Sequence, residues 1–353
     1  MKTSALPTDE DENLRRVGAT LRSAADEKEI YMSNKEIYRR TLVFSLKKLG
    51  FDVLSVVLLA ALSVGGFFLM DKFTDKGLIG LAIGIVVALI AIAIISRFVS
   101  YNIKAGQIAM MMRGVVDGKL PDDVYGEGKR MVKERFTTVA VFFAATRVIK
   151  GIFNQIGRLI TKIGDSIGGD VGGAVGSAVS SAVQTIVAYL CDCCLAWVFF
   201  RKEQSAARAT CEGAVLFFRH GKTLAKNVGR IFGIGIASLA LIGGAFFGIF
   251  YLIFSAFPAA FESLAREIAE AGARMEGEIP GFLTNPATLT IIIAAIGGLI
   301  VWGILHSTFV RPFILTGVLR NYIESGVDDI PSESAFADLS RKSSKFAKLH
   351  AEI

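Results

Sequence analysis

Four stretches of this chain, Phe51–Met70, Leu78–Ser96, Ile231–Phe257 and Thr288–Leu305, contain no lysine or arginine. Each is near the length that a helix needs to cross about 30 Å of hydrocarbon. Inside lipid every backbone amide must find its partner within the protein, so such stretches are restricted to helices. Composition agrees: of 353 residues 52% are hydrophobic and only 20% are charged, and the mean hydropathy is +0.52. That is too apolar for an ordinary soluble enzyme of this size. The expected fold class is an all-α integral membrane protein. The first 50 residues are polar, include the acidic cluster Asp9-Glu10-Asp11-Glu12, and have no short apolar core before a cleavage site. The first span is therefore expected to act as a signal anchor.

Two segments about 210 residues apart are alike: Phe98-Val99-Ser100-Tyr101-Asn102-Ile103-Lys104-Ala105-Gly106 and Phe309-Val310-Arg311-Pro312-Phe313-Ile314-Leu315-Thr316-Gly317. Each follows a pair of apolar runs, and each leads to a Leu-Pro or Ile-Pro pair, Leu120-Pro121 and Ile330-Pro331. The pattern predicts a parallel internal repeat in which two spans and an amphipathic helix occur twice. The expected regions are an N-terminal tail 1–50, a first repeat 51–136, central spans 137–200, a second repeat 201–331 and an amphipathic tail 332–353.

The middle of the chain decides the span count. Residues 171–200 are rich in small residues and then bulky up to Phe199-Phe200, where Arg201-Lys202 follows. Small residues at four-residue spacing permit close helix packing in lipid. As a lone central span this segment would put the basic stretches 101–135 and 201–230 on opposite faces, against the positive-inside tendency. A further span over 137–163 removes the conflict and gives six transmembrane helices with both termini in the cytosol. Of the 39 basic residues, Lys72, Lys76, Arg266 and Arg274 then lie outside and four more lie within the third span, leaving 31 at the inner side. The absence of glycosylation sequons from the outer loops is compatible with a bacterial cell membrane. The net charge of +7 accompanies no nucleic-acid motif, so the basic juxtamembrane helices point to anionic lipid headgroups.

Several polar side chains fall at membrane depth. Arg147, Lys150, Asn154, Arg158 and Lys162 recur on one helical face, which either lines an aqueous path or lies among headgroups as an interfacial helix. Asp192 needs a partner or water. It is either a binding carboxylate for a cationic solute, walled by Tyr189, Trp197 and Trp302, or an ion-pair partner of that basic stripe. His306 either titrates near neutrality or packs with a hydrogen bond, and Pro312 is expected to kink or end its helix. Cys191, Cys193 and Cys194 lack a second ligand pair, which favours packing over a metal site, and Cys211 is either a free thiol or an acylation site. Met110-Met111-Met112 is expected to pack as core. The segments 213–230 and 333–353 are expected to be inner-leaflet surface helices. Five glutamates, Glu262, Glu267, Glu270, Glu276 and Glu278, mark the outer loop 258–287 as an acidic vestibule or an ordinary connection. The chain contains no HExxH, GxSxG or Walker motif, and its three histidines are not clustered. Neither an enzyme nor a cofactor or metal site is expected.

Over residues 135–335 the order of elements resembles the C-terminal half of the choline-transporter-like family. The matching elements are a span after Arg135-Phe136, the Cys-rich stretch Tyr189-Leu190-Cys191-Asp192-Cys193-Cys194-Leu195-Ala196-Trp197, and the surface helix Ala209-Thr210-Cys211-Glu212-Gly213-Ala214-Val215-Leu216-Phe217-Phe218-Arg219. A final span then leads to Phe309-Val310. The family's large outer domain is absent, and its acidic C-terminal sequence is only loosely echoed by Asp328-Asp329. What the resemblance implies is a multi-span carrier for choline-like organic cations with cytosolic termini, and it transfers no functional residue. The residues alone support a carrier or facilitator for a small polar solute. The alternatives are a non-transporting membrane scaffold that binds partners or lipid, and an anion-conducting pore lined by the basic stripe. Small-residue faces also permit a homo-oligomer.

Overall fold

The computed structural model describes residues 32–74, 76–136, 141, 144–155, 173–219, 221–274, 280–327, 329 and 331–352. Of the described residues 90% are helical, and none is in a strand. In chain order the helices are α1 (Asn34–Thr74), α2 (Gly77–Val99), α3 (Ala105–Val116), α4 (Val124–Arg135), α5 (144–155), α6 (Gly173–Phe200), α7 (Ala206–Arg219), α8 (Gly221–Ser238), α9 (Gly244–Ser255), α10 (Pro258–Arg274), α11 (Pro286–Leu305), α12 (Arg311–Val327), α13 (Glu333–Lys342) and α14 (Ser344–His350). Three π-helical turns, Ser100–Lys104, Leu239–Gly243 and His306–Val310, interrupt the longer helices. The chain divides into two units, one of Met1–Gly229 with Pro312–Ile353 and one of Arg230–Arg311.

In the first unit, Ser33 starts α1 by accepting a hydrogen bond from the Glu36 amide at 3.2 Å, the first half of a capping box. The early turns of α1 bury Ile37, Thr41, Phe44 and Ser45. Its later turns expose Leu54, Val57, Phe68 and Leu69. Helix α2 returns alongside, and the two backbones meet at Gly66, Gly80 and Gly84. A methyl group at Gly80 would collide with the Gly66 carbonyl, and one at Gly84 with the Leu62 carbonyl. Small residues are what let helices approach this closely in lipid. The outer surface of α2, with Ile83, Val86, Ile90 and Ile94, is also exposed. Apolar area on this scale marks a surface meant for lipid or a partner.

Beyond the π turn at Ser100–Lys104 the environment reverses. Ile108, Ala109, Met110 and Met111 of α3 are 0–1% exposed, so the methionine triplet is core, as expected. Gly118, with φ 64°, turns the chain out of α3 in the left-handed region that glycine adopts without strain. Asp123 then caps α4 by accepting from the Gly126 amide at 2.8 Å. Helices α6, α7 and α12 to α14 complete this body. Phe44 packs on Tyr125, and Phe153 of α5 meets Phe217 edge-on at 5.4 Å. The tail forms the short helices α13 and α14, which bury Phe336, Leu339, Phe346 and Leu349 in the protein.

The second unit is a hairpin of α9 and α11 with α10 packed at one end. Phe247 and Phe250 sit against Gly298 and Gly297. Phe261 and Ala265 of α10 form a small core with Leu289, bordered by Phe254, Leu264, Ile268, Leu283 and Ile293. Leu241, Leu252, Ile296 and Leu299 face outward.

Four helical stretches, Asn34–Thr74, Ile79–Ser96, Gly229–Ser255 and Pro286–Val327, are long and apolar enough to cross a membrane, and they overlap the four predicted apolar runs. This is the character of a membrane-embedded helical protein. The two central spans of the sequence reading differ from these. Part of 137–163 and of 171–200 lies outside the described residues, and the apolar stretch Gln184–Phe200 is shorter.

Candidate functional site

Tyr189, Asp192 and Trp197 lie on α6 where it packs against α3, α7 and α12. Asp192 is 3% exposed. Its carboxylate Oδ1 lies 2.7 Å from Nζ of Lys104, the last residue of the first π turn. Of the two readings of Asp192, the structure gives an ion pair, with a cation at the end of the α2 segment. The described part of the basic stripe, Arg147, Lys150 and Asn154, is exposed, while Ile149, Ile152 and Phe153 on the opposite face of α5 are buried. Arg158 and Lys162 lie outside the described residues, as does the predicted outer turn 164–170.

Trp197 and Tyr189 share α6 with Asp192 and are 1% and 3% exposed. The indole Nε1 of Trp197 donates to Oε2 of Glu212 at 3.3 Å, and Nε of Arg201 donates to the same oxygen at 3.0 Å. A second arm of Arg201, Nη2, reaches Oε1 at 3.4 Å. Arg201 and Glu212 are 5% and 4% exposed. Such a buried pair is sensitive to loss of either partner, because the survivor keeps an unmatched charge in low dielectric. Close by, Tyr322 donates its hydroxyl proton to the Gly213 carbonyl at 2.6 Å and meets Trp197 edge-on at 6.3 Å. The Cys194 thiol donates to the Thr210 carbonyl at 3.6 Å. These bonds tie α6, α7 and α12 together. They consume the hydrogen-bonding groups that a solute would need.

The cysteines act as packing groups. Cys193, Cys194 and Cys211 are fully buried, and burial pushes the Cys211 thiol up to about 12, so at neutral pH it is protonated and a poor nucleophile. Val215 and Leu216, expected on a membrane-surface helix, are 2% and 1% exposed against the protein.

Trp302 and His306 belong to the second unit, so the predicted aromatic walls are divided between units. There Trp302 Nε1 donates to Ser238 Oγ at 3.1 Å, and His306 Nδ1 lies 3.1 Å from the same oxygen. The Ser238 hydroxyl also donates to the Gly235 carbonyl at 2.7 Å. With its single proton used there, Ser238 accepts from both rings. His306 is thereby assigned the Nδ1–H tautomer, leaving Nε2 as the basic nitrogen. Both flanking turns, Leu239–Gly243 and His306–Val310, are π-helical, a distortion often found at functional positions.

Sequence reasoning missed Lys104 as the partner of Asp192, and the Arg201–Glu212 pair. A signal for the second was present. Glu212 is spaced three or four residues from Ala209, Val215 and Leu216 and thus lies on the apolar face of its helix, where a carboxylate requires a buried partner. No family model, curated protein or solved structure matches this chain.

Proposed function

We propose that the protein is a membrane-anchored helical scaffold, held by two apolar hairpins and presenting the helical body of its first unit at the cytosolic face. One observation carries this reading: Asp192, the best sequence candidate for a binding carboxylate, is buried and neutralised by Lys104 at 2.7 Å. A carboxylate in that state has little to offer a cationic solute, because binding would require displacing the lysine already paired with a buried acid. The test is transport itself. Choline uptake into liposomes containing the purified protein should equal that of empty liposomes, whereas uptake lost in Asp192→Asn would overturn the scaffold in favour of a carrier.

This reading takes four crossings, not six. Charge supports it, since all but Lys72, Lys76, Arg266 and Arg274 of the 39 basic residues then lie at the side of the termini. A central region with no crossing satisfies the positive-inside tendency as well as one with two. It also spares Arg147 and Lys150 a place in hydrocarbon, which would cost about 3 kcal/mol each.

The parallel repeat belongs to the same proposal. In both copies an apolar helix passes through a π turn into a buried helix, then through a Pro-containing turn into an amphipathic one, α4 or α13. The π turn begins just after Phe98-Val99 in one copy and ends on Phe309-Val310 in the other. That difference fits an old duplication whose copies have diverged.

A carrier is the second reading, supported by the Ser238, Trp302 and His306 group, which puts polar atoms in the apolar hairpin of the second unit. It keeps the choline-like cargo of the family resemblance. Under it, His306→Ala should reduce uptake while the protein remains folded.

A further inference from the structure

The hydrogen bonds among Ser238, Trp302 and His306 leave one ring nitrogen over. With the Ser238 proton on the Gly235 carbonyl, its oxygen accepts from Trp302 Nε1 and from His306 Nδ1, each at 3.1 Å. The neutral imidazole is thereby held by one nitrogen, and the other, Nε2, is an acceptor. Nε2 has no partner among the described residues. His306 is half-buried, and Nε2 is not sealed from the molecular surface.

The setting of the ring limits what can meet that nitrogen. Trp302 leans on it at 41° with centroids 5.2 Å apart, and its Cε1 edge faces Gly235, where a methyl group would stand 4.0 Å away. Gly303, three residues before His306 on the same helix, leaves the adjoining surface bare, with no atom within 4 Å of a methyl placed there. Arg311 follows His306 by five residues and Arg230 precedes Ser238 by eight, about 7 and 12 Å along a helix. Arginines at the end of a span extend to the headgroups. The ring therefore lies beneath them, at the depth of the lipid glycerol, and Ile236 and Leu241 nearby are exposed as lipid-facing groups are. At that depth a diacyl phospholipid offers ester oxygens, which accept hydrogen bonds and donate none. An acceptor left bare among apolar groups is costly.

We propose that His306 Nε2 accepts a hydrogen bond from the free hydroxyl of a diacylglycerol-type lipid, whose glycerol lies over Gly303 beside the Trp302 ring. The hydroxyl supplies the donor that ordinary phospholipids lack at this depth, and the glycine leaves room for it. Ser238 keeps the acceptor nitrogen facing outward by holding the proton of the ring on Nδ1. The inference rests on the membrane placement of this hairpin, and on neither the scaffold nor the carrier reading.

The experiment melts the full-length protein in phosphatidylcholine nanodiscs containing increasing dioleoylglycerol. The control is its 3-acetyl ester, which keeps both chains and has no hydroxyl. A ligand of the folded state raises the melting midpoint with its occupancy. The expected result is a rise with dioleoylglycerol and none with the ester. In His306→Phe, which keeps a ring beside Trp302 and removes Nε2, affinity should fall about tenfold, the size of one hydrogen bond. Should that variant fail to fold, Gly303→Leu, at a position with open space around it, removes the same response by filling the place of the glycerol. No response of the wild type, an equal response to the ester, or unchanged affinity in the folded variant overturns the proposal and leaves Nε2 to water. A protein that does not enter the discs at all overturns the membrane placement itself, and the proposal with it.

Discussion

The two hairpins are built from the same materials and held together differently. In the first, glycine faces backbone: Gly66, Gly80 and Gly84 let α1 and α2 touch main chain to main chain. In the second the contact is mixed: Gly297 lies under the Phe250 ring, and only Gly298 meets backbone, that of Phe247 and Gly243. The Phe246, Phe250 and Phe254 rings continue along one face with centroids 6.3 and 5.8 Å apart. Lipid tails are as apolar as leucine, so neither hairpin gains from hiding apolar area from water, and close packing must hold each together. A backbone contact cannot yield to a larger side chain, but a ring can turn aside. The ends of the hairpins differ too. The first continues into a body braced by buried ion pairs, whereas the second is closed by a small apolar core at α10.

That contrast predicts where each unit is fragile. The largest effect is expected for Glu212→Ala, which removes the buried carboxylate shared by Arg201 and the Trp197 indole and should destabilise the first unit by about 3–5 kcal/mol. The second unit has a counterpart of lesser size in Phe261→Ala, at about 3 kcal/mol, because its core is small and partly open. Both are read from melting or denaturant curves in detergent, and equal losses would blur the distinction between an ion-paired body and an apolar cap. Smaller still, Gly80→Ala should cost about 1–3 kcal/mol by forcing two backbones apart, while Gly297→Ala should cost less than about 1 kcal/mol because the Phe250 ring gives way. The reverse order would refute the backbone-versus-ring account.

The smallest effect concerns acid. Hydrogen bonding to Arg130 chiefly, with the charges of Arg130 and Arg113, holds the Glu127 carboxyl below its usual value of 4.5. A depressed carboxyl stabilises the fold above its unfolded pKa and loses that contribution as pH falls through the folded value. Stability should therefore decline below about pH 4.5, less steeply in Glu127→Gln, with no matching change in the second unit. An identical acid profile for the variant would remove Glu127 from the account.

Much of the architecture was legible in the residues. The four long apolar stretches announce themselves, because uncharged runs of that length have few alternatives to a membrane span. The methionine triplet is core, as its pattern implies, whereas the helix expected to kink or end at Pro312 continues through it to Val327, with a π turn at His306–Val310 just before. The segment 171–200 was harder. A helix that is apolar all round is equally consistent with lipid and with a protein core, and only the contacts of Trp197, Arg201 and Glu212 show that its last turns are packed inside the first unit. The amphipathic stretches containing Val215, Phe336 and Phe346 posed the same ambiguity, since an apolar stripe carries no label for the surface it covers. The partner of Asp192 was hidden for another reason: Lys104 is distant in sequence and arrives through a π turn that no local pattern marks.

The central claim is that the chain crosses the membrane four times and that α5 lies in water on the side of the termini. Single cysteines at Lys150 and Glu267, both exposed, can be probed with a membrane-impermeant maleimide in sealed vesicles of either orientation, against the unsubstituted protein as background. Four crossings predict that Lys150→Cys is labelled readily from the side of the termini and Glu267→Cys only from the opposite side. A Lys150→Cys protein that stays unlabelled from both sides until detergent is added would put α5 at bilayer depth and contradict the account.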